Sequence, residues 1–268
     1  MKRIFCILTA VLLIMSVCVS AASESMDFSA CTDYELNVLL TKLQLEAAER
    51  IGKRLSSPES DFVYASNGYE VRINDYTGTD AHVVIPEDIN GTPVTRIYNS
   101  AFLGAQLESV SLPDTITEIG DLAFAWARTE GKSVGDGTVL YLPSNLRTVG
   151  TQAFAGNGYA GVVVNSDVKI DTDAFQNMNN LKFIYVREGA APEFDHWSVR
   201  SCTKLETVII PPSVKHINDT AFEVAKKLKI ITAPGSAAEA WAIKNFFPVD
   251  TQHYAEYAAE YEALFPLL

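Results

Sequence analysis

The four histidines and four cysteines of the 268-residue chain are not spaced for metal binding. His82, His196, His216 and His253 stand far apart, and neither an HExxH nor a CxxC motif occurs, although these are common zinc-binding spacings. The EF-hand pattern and the P-loop are also absent. Aspartate and glutamate are plentiful but form no recognisable general acid and base pair, so we interpret them as a solvated acidic surface. The sequence therefore predicts no metal, no cofactor and no catalytic activity.

Three aromatic side chains are the best candidates for contacting a ligand: Trp126, His196 and Trp197. All three lie where the chain departs from the repeat described below. Trp126 begins an insertion that runs to Gly137, and the other two lie in the stretch EFDHWSVR. Residues that break a repeat are free of its packing role, and tryptophan is enriched in binding hot spots. We predict that at least one tryptophan is exposed and contacts a ligand; the alternative is that both fill gaps between irregular repeats.

The cysteines are too few for a disulfide-stabilised fold. Cys6 and Cys18 lie in or at the end of an N-terminal apolar segment, which leaves Cys31 and Cys202. Cys202 occupies a repeat position that mostly holds small or apolar residues in other copies, which indicates packing in the core. A bridge between Cys31 and Cys202 is the alternative. In either case stability must come mainly from an apolar core.

A repeat determines where these residues would lie. The pair Ala-Phe recurs five times, each time after a β-branched residue and three variable ones. The phenylalanines are Phe102, Phe124, Phe154, Phe175 and Phe222. The last interval is twice the usual one, and a degenerate copy, SVRSC at 198–202, fills it with Ser198-Val199 in the Ala-Phe place. The base period is therefore about 23 residues.

A short strand precedes each Ala-Phe segment. LESVSLP (107–113), LETVIIP (205–211) and LKIITAP (228–234) align without gaps. Apolar residues alternate in them and proline ends them, which predicts a short strand with one buried face. One unit of this size cannot bury its own apolar residues, but stacked units can. The repeat therefore predicts a mainly β solenoid of about six to seven rungs, with the phenylalanines in an internal column.

These units resemble the BspA-like leucine-rich repeat family, whose units look like LxxVxLPxxVxxIGxxAFxxC. The resemblance covers roughly residues 60–250. It implies a leucine-rich repeat solenoid of a kind typical of secreted or surface proteins of bacteria, with binding and adhesion roles. The stretch REGAAPEFDHW departs from the pattern, and we expect it to bulge outward and bend the stack.

Helices are predicted at both ends of the solenoid. Residues 32–54 have a helical apolar period, and we interpret this helix as packing at the open N-terminal end. Ser236 and Glu239 have the spacing of a capping box, which predicts a helix from about 237 to 245 over the last rung. Tyr254, Tyr257 and Tyr261 share one helical face in the tail, which favours core packing over docking of a partner. The expected organisation is a signal peptide (1–22), an N-terminal helical segment (23–57), the solenoid (60–250) and a helical tail (251–268).

Charge and the N-terminal segment limit the possible functions. The formal net charge of -12 argues against nucleic-acid binding, which needs clustered basic residues. Lys2 and Arg3 precede an apolar run from Ile4 to Val19, and small residues follow, which is typical of a secretory signal peptide cleaved near Ala21 or Ala22. Lipidation at Cys18 is the alternative. No second apolar run is long enough to span a bilayer, so we expect a secreted or cell-surface protein.

The predicted function is binding or adhesion to another macromolecule, an unknown protein or surface glycan, without catalysis. Two alternatives remain. One is a secreted carbohydrate-binding module or enzyme that uses Trp126, Trp197 and nearby acidic residues; an enzyme would need polar groups converging in one concave pocket. The other is a structural component of the cell envelope, because a fold does not determine a function.

Overall fold

The computed structural model describes residues 56–129, 132–223 and 228–265. The predicted signal peptide, the predicted helix over 32–54, Cys18 and Cys31 lie outside the described residues. Up to residue 133, the described part of the chain forms a 3-10 turn, Glu59–Asp61, and nine strands. These strands are β1 (Phe62–Ser66), β2 (Val71–Tyr76), β3 (His82–Val84), β4 (Asp88–Ile89), β5 (Thr92–Ile97), β6 (Ser109–Ser111), β7 (Glu118–Ile119), β8 (Arg128–Thr129) and β9 (Lys132–Ser133).

After residue 133, the described residues form nine more strands and two helices. The strands are β10 (Val139–Tyr141), β11 (Thr148–Val149), β12 (Gly161–Val164), β13 (Lys169–Ile170), β14 (Phe183–Val186), β15 (Glu193–Phe194), β16 (Thr207–Ile210), β17 (Lys229–Thr232) and β18 (Val249–Asp250). The helices are α1 (Ala237–Lys244) and α2 (Tyr254–Leu264). Neither has the length and apolar character needed to cross a membrane.

The strands form two parallel sheets, one on each side of a continuous core. The first sheet follows the order β1-β2-β5-β7-β11-β13-β15, with β4 paired to β5, and the second follows β10-β12-β14-β16-β17-β18. Apart from two antiparallel contacts, β1–β2 and β4–β5, the pairings within these sheets are parallel. The chain therefore winds as a β-solenoid of about eight turns, and the fold class predicted from the repeat is confirmed.

The insertion after Trp126 separates the strand pair β3–β6 from the second sheet, which begins with β10. Strands β3 and β6 pair only with each other, and the β8–β9 hairpin lies in the chain between β6 and β10. The Gly135 N–H donates to Glu108 O over 2.9 Å, and the Gly158 N–H donates to Val134 O over 3.0 Å. The insertion thus occupies the space between two rungs, and the buried Val134 side chain joins the core.

The phenylalanines of the repeat form the predicted internal column. Ring centroids are 4.8 Å apart for Phe102 and Phe124, 5.4 Å for Phe124 and Phe154, and 5.8 Å for Phe154 and Phe175. All four side chains are at most 2% exposed. Stacked rings of one size in successive rungs keep the rung spacing uniform, so the column sets the register of the whole stack.

The expectation that REGAAPEFDHW bulges outward is wrong. Glu193 and Phe194 form β15, which pairs with β13, and Phe194 also bridges to Ile217 in the next rung. Phe194 is 1% exposed because it takes the position that isoleucine or valine has in other rungs, while Val199 takes the phenylalanine position. The large and the small apolar residue have exchanged places within one rung, so the core stays filled without a bulge.

In the repeat, a glycine can follow the β-branched residue, as Gly150 follows Val149, and close approach of adjacent rungs explains this glycine. A Cβ atom on Gly150 would lie 2.7 Å from the Asp121 backbone nitrogen, closer than non-bonded atoms allow. On the same side of the turn, side chains accept hydrogen bonds from backbone N–H groups of the next rung. Asp121 Oδ1 accepts from the Thr151 N–H over 2.8 Å, and Asn99 Oδ1 accepts from the Asp121 N–H over 3.0 Å.

Helix α1 begins at the predicted capping box and closes the core. The Ser236 hydroxyl accepts from the Glu239 N–H over 3.1 Å, and the Glu239 carboxylate accepts from the Gly235 N–H over 2.6 Å. Trp241 packs against Phe222 and Phe247, with ring centroids 5.6 Å and 5.2 Å away. This helix therefore covers the last phenylalanine of the stack, as expected of a terminal cap.

Strands of the second sheet differ from the predicted alternation because both of their faces are buried. All four residues of β12 and all four of β14 are buried. Their inward residues join the main core, while Val163, Phe183 and Tyr185 point to the opposite side and contact α2. The three tyrosines of the tail do share a packed face, as predicted: Tyr254 and Tyr261 are buried there and Tyr257 is partly buried.

Candidate binding site

The turns that carry Ala-Phe form a regular surface along the solenoid, which we call the turn ridge. Each turn holds two residues with positive φ, four positions apart. The first positions, with φ between 53° and 59°, are Ser100, Leu122, Gln152, Asp173 and Trp197. The second positions, with φ between 55° and 74°, are Gly104, Trp126, Gly156, Asn177 and Ser201. These ten residues define the turn ridge, and both tryptophans named by the sequence analysis belong to it.

Backbone hydrogen bonds connect the turns in sequence order. The Trp126 N–H donates to Ala155 O over 2.8 Å, the Gly156 N–H to Gln176 O over 2.8 Å, and the Asn177 N–H to Arg200 O over 3.0 Å. Three steps of the stack therefore separate the rung of Trp126 from the rung of Trp197. At about 4.8 Å per step, the two rungs lie about 14 Å apart along the solenoid.

Trp126 is 42% exposed and lies across the neighbouring rung. A Cβ atom on Gly156 would lie 2.2 Å from the Trp126 ring, so the indole fits there only because position 156 has no side chain. Its own φ of 55° is uncommon for a large residue, and the other second positions carry glycine, asparagine or serine. The indole therefore has one part held by the next turn and one part open to solvent.

Trp197 is 40% exposed and has charged and polar neighbours. The Arg200 guanidinium carbon lies 5.3 Å from the centroid of its ring, within cation–π range. The His196 ring lies edge-on, 6.5 Å away, and His196 Nδ1 is 3.0 Å from the Thr220 hydroxyl. The structure thus places His196 beside Trp197 but brings neither of them next to Trp126.

Polar side chains lie on or beside the turn ridge between the two tryptophans. Arg200 pairs with the carboxylate of Asp173, with Nε–Oδ1 and Nη2–Oδ2 distances of 2.9 Å and 3.1 Å. The amide of Gln176 lies 3.3 Å from Arg200 Nε and 3.2 Å from the amide of Gln152. Two half-exposed indoles with amides and a guanidinium between them can bury apolar area and exchange hydrogen bonds with a ligand laid along the ridge.

Sequence reasoning did not find Asp173, Gln176, Arg200 or Gln152. Each occupies a variable position of the repeat, and only the stacking of three rungs brings them together. The signal that was available is their distance from Ala-Phe in each copy, because equal offsets place side chains in the same column.

Other exposed aromatic residues lie away from the turn ridge. Phe246 is 94% exposed after α1, and Tyr69 is 87% exposed between β1 and β2. Among the residues that the structure describes, no aromatic ring or cation contacts either of these two rings, unlike the ring of Trp197. Both serve below as controls for the effect of removing an exposed ring.

Cys202 is a packing residue, as predicted. It is a free thiol with no exposed surface, and its Sγ donates to Phe175 O over 3.1 Å. Burial raises the pKa of Cys202 to about 12, so the thiol stays protonated and unreactive in the folded chain. Among the residues that the structure describes, no three His, Cys, Asp or Glu side chains are grouped so as to hold a metal ion.

Stacked parallel rungs, an internal phenylalanine column and a turn with fixed backbone geometry define a leucine-rich repeat protein. The chain belongs to the BspA type leucine rich repeat family, which matches residues 83–134 and 136–241 in six copies, more than half of the chain. None of the curated proteins matches the chain.

Solved structures of bacterial leucine-rich repeat proteins resemble this one. The crystal structure of the Treponema pallidum leucine rich repeat protein is 24% identical, covers 74% of this chain and 99% of its own, and superimposes with a TM-score of 0.56, which supports the common fold. A leucine rich cell surface protein from Faecalibacterium prausnitzii A2-165 is 14% identical over 72% of this chain and 98% of its own, with a TM-score of 0.25. A leucine-rich repeat protein from Bacteroides ovatus is 16% identical over 64% and 70%, with a TM-score of 0.24.

Proposed function

We propose that this protein is exported and binds another protein through the turn ridge, without catalysing a reaction. The single observation that carries the proposal is the pair Trp126 and Trp197. Both are near 40% exposed, the Trp126 ring lies against Gly156 of the next turn and the Trp197 ring lies beside Arg200 of its own turn, and polar side chains lie between them.

The residue types of the ridge favour a protein partner over a glycan. Tryptophan and arginine are the types most enriched at energetic hot spots of protein interfaces. Both tryptophans are already partly fixed by Gly156 and Arg200, so little rotamer entropy is lost when a partner covers them. The Asp173 carboxylate neutralises Arg200, which leaves the region between the indoles without strong net charge. A surface of this kind gains affinity from burial and shape more than from long-range charge.

Export is part of the proposal and is supported by the amino-terminal sequence. Two basic residues, an apolar segment and small residues follow one another in the order of a secretory signal peptide. The resemblance to BspA-like repeats, a family to which the chain belongs, also implies export, because that family is typical of secreted or surface proteins of bacteria. Surface location would present the turn ridge to proteins outside the cell.

The test compares the parent chain with Trp126→Ala and Trp197→Ala. Each protein is immobilised, envelope and extracellular protein extracts are passed over it, and the captured protein is identified and titrated. Loss of either indole should weaken affinity at least tenfold, which corresponds to about 1.4 kcal/mol. The melting temperature should fall by less than about 4 °C, since each ring is only partly buried.

The control variants remove exposed rings outside the ridge. Phe246→Ala and Tyr69→Ala should bind like the parent chain. Equal affinity of the tryptophan variants and the parent would overturn the proposal, as would a loss of affinity that matches a collapse of the melting temperature. Binding to purified polysaccharides alone, with no protein captured, would assign the ridge to glycans instead.

A further inference from the structure

A second surface of the molecule is covered by the chain itself. The residues of the second sheet that point away from the main core are large and apolar, and we call them the outer face: Val163, Phe183, Tyr185, Ile209 and Ile231. Helix α2 lies on this face with Tyr254, Ala258, Tyr261 and Leu264 turned towards it. The corresponding residues of β3 and β6 are His82, Val84, Ser109 and Ser111, of which only Val84 is apolar, so the large apolar surface lies on the sheet that α2 covers.

The contact between α2 and the outer face is separate from the core that holds the solenoid together. The buried residues of the structure form two clusters that share no member, and the sheet itself lies between them. Helix α1 supplies Ala238, Trp241 and Ala242 to the main cluster, whereas α2 supplies no residue to it. Release of α2 would therefore leave the phenylalanine column and its cap in place.

Polar contacts fix where α2 lies on the apolar face. Arg187 is 6% exposed, donates to Asn165 Oδ1 over 3.0 Å, and also donates to the Glu262 carboxylate and the Phe265 carbonyl oxygen. The Tyr185 hydroxyl donates to Glu262 over 2.8 Å, and the Tyr254 hydroxyl donates to Glu188. Arg187 is buried and Glu262 is about half exposed, so removing the carboxylate would leave a buried charge without its partner. The pair therefore selects a partner that brings the matching charge.

Helix α2 depends on this contact for its own stability. It has 11 residues, below the length at which an isolated helix is stable in water. Its N-cap residue His253 makes no side-chain capping hydrogen bond, and its last turn carries no basic residue. Glu262 lies in that last turn, where the helix dipole disfavours a negative charge until Arg187 neutralises it.

We propose that the outer face is a docking site for an acidic amphipathic helix of a partner protein, and that α2 occupies it within the chain. The partner helix would repeat the chemistry of α2: aromatic residues at positions i and i+7 and a carboxylate beside the second one to meet Arg187. Because α2 is tethered through the short segment 251–253, it competes at a high effective concentration. A partner must therefore bind the outer face more tightly than α2, and access to the site is regulated.

The test uses the full chain and a fluorescent peptide of residues 250–265. The variant Tyr261→Ala with Phe265→Ala weakens the attachment of α2 but leaves the outer face unchanged. By fluorescence anisotropy, the peptide should bind this variant at least tenfold more tightly than it binds the parent chain. Adding Arg187→Ala to the variant, or using a peptide with Glu262→Gln, should weaken that binding at least tenfold.

A second measurement does not depend on any variant. In the parent chain, hydrogen exchange should show that the amides of α2 open without the amides of β14 and β16. Exchange of α2 only together with the whole solenoid would overturn the proposal, and so would equal binding of the native and Glu262→Gln peptides. Dimerisation of the parent chain that excludes the peptide, seen by light scattering, would assign the outer face to a second copy and overturn the assignment to another protein.

Discussion

Phe194 packs against Phe222 with ring centroids 5.2 Å apart, although it stands at a position that carries isoleucine or valine in the other rungs. Val199 stands at the phenylalanine position of the same rung and is fully buried. The exchange of a large and a small side chain within one rung therefore keeps this rung filled and in aromatic contact with the next one. This exchange explains why a degenerate copy of the repeat does not interrupt the stack.

The exchange can be tested by a double-mutant cycle. Val199→Phe alone should overpack the rung and lower the free energy of unfolding by about 1–3 kcal/mol. Phe194→Ile alone should leave a cavity and also destabilise the chain. The double variant restores the usual pattern, and urea unfolding should show recovery of at least half of the summed loss. Additive losses would mean that the two positions do not share one space.

Phe154 lies in the middle of the column between Phe124 and Phe175. Phe154→Ala should lower the free energy of unfolding by about 3–5 kcal/mol, because it leaves a large cavity in a buried stack. Thermal and urea unfolding of the variant provide the measurement, with Phe246→Ala as a control at an exposed position. A Phe154→Ala variant as stable as the parent would contradict the column.

The local repeat made much of the fold predictable. The spacing from the β-branched residue to Ala-Phe is the same in five copies, and the same inward positions recur in the structure. The compensation between Phe194 and Val199 was not predictable from spacing, because it depends on the volume shared by neighbouring rungs. The strands GVVV and FIYV were expected to bury one face, and the structure buries both; continuous apolar runs are typical of strands buried on both faces, but the repeat alignment did not use this signal.

The candidate site was only partly predictable. The two tryptophans stood out by type, but the neighbours of their rings, Gly156 in the rung after Trp126 and Arg200 in the same turn as Trp197, were not identified from the spacing. Asp173 and Gln176 belong to the same surface through ion pairing and amide contacts that no local pattern encodes. Side chains at variable positions acquire a common role only when the stack aligns them.

Alkaline pH should loosen the contact of α2 with the outer face. Burial, together with hydrogen bonds to Glu262 and Glu188, raises the pKa of Tyr185 and that of Tyr254 above the usual value of about 10. The folded state favours the protonated phenols. Their contribution to the stability of the α2 contact is therefore complete below pH about 10 and is lost as the pH rises towards their pKa values in the folded state.

This loss can be followed by tyrosinate absorbance together with hydrogen exchange of the α2 amides. Tyr185→Phe with Tyr254→Phe should remove most of the pH dependence above pH about 10. A parent chain whose α2 amides are equally protected on both sides of that pH would contradict the assignment.

Export predicts a defined amino terminus. Mass spectrometry of the protein recovered from outside the cytoplasm should give a chain that starts near Ala22 or Ser23. A mature protein that starts at a lipid-modified Cys18 would show that the signal belongs to the lipoprotein class, and Cys18→Ser separates the two cases because only lipoprotein processing requires that residue.

The most direct test of the turn ridge as the binding surface is a hydrogen-exchange footprint of the parent chain with and without its captured protein partner. The account predicts added protection in three successive turns, at 122–126, 152–156 and 173–177, and at 197–201 in the rung of Trp197. The amides of β1 and β2, at one edge of the first sheet, should exchange as they do in the free chain. Protection confined to the first sheet or to the outer face, with the turns unchanged, would contradict it.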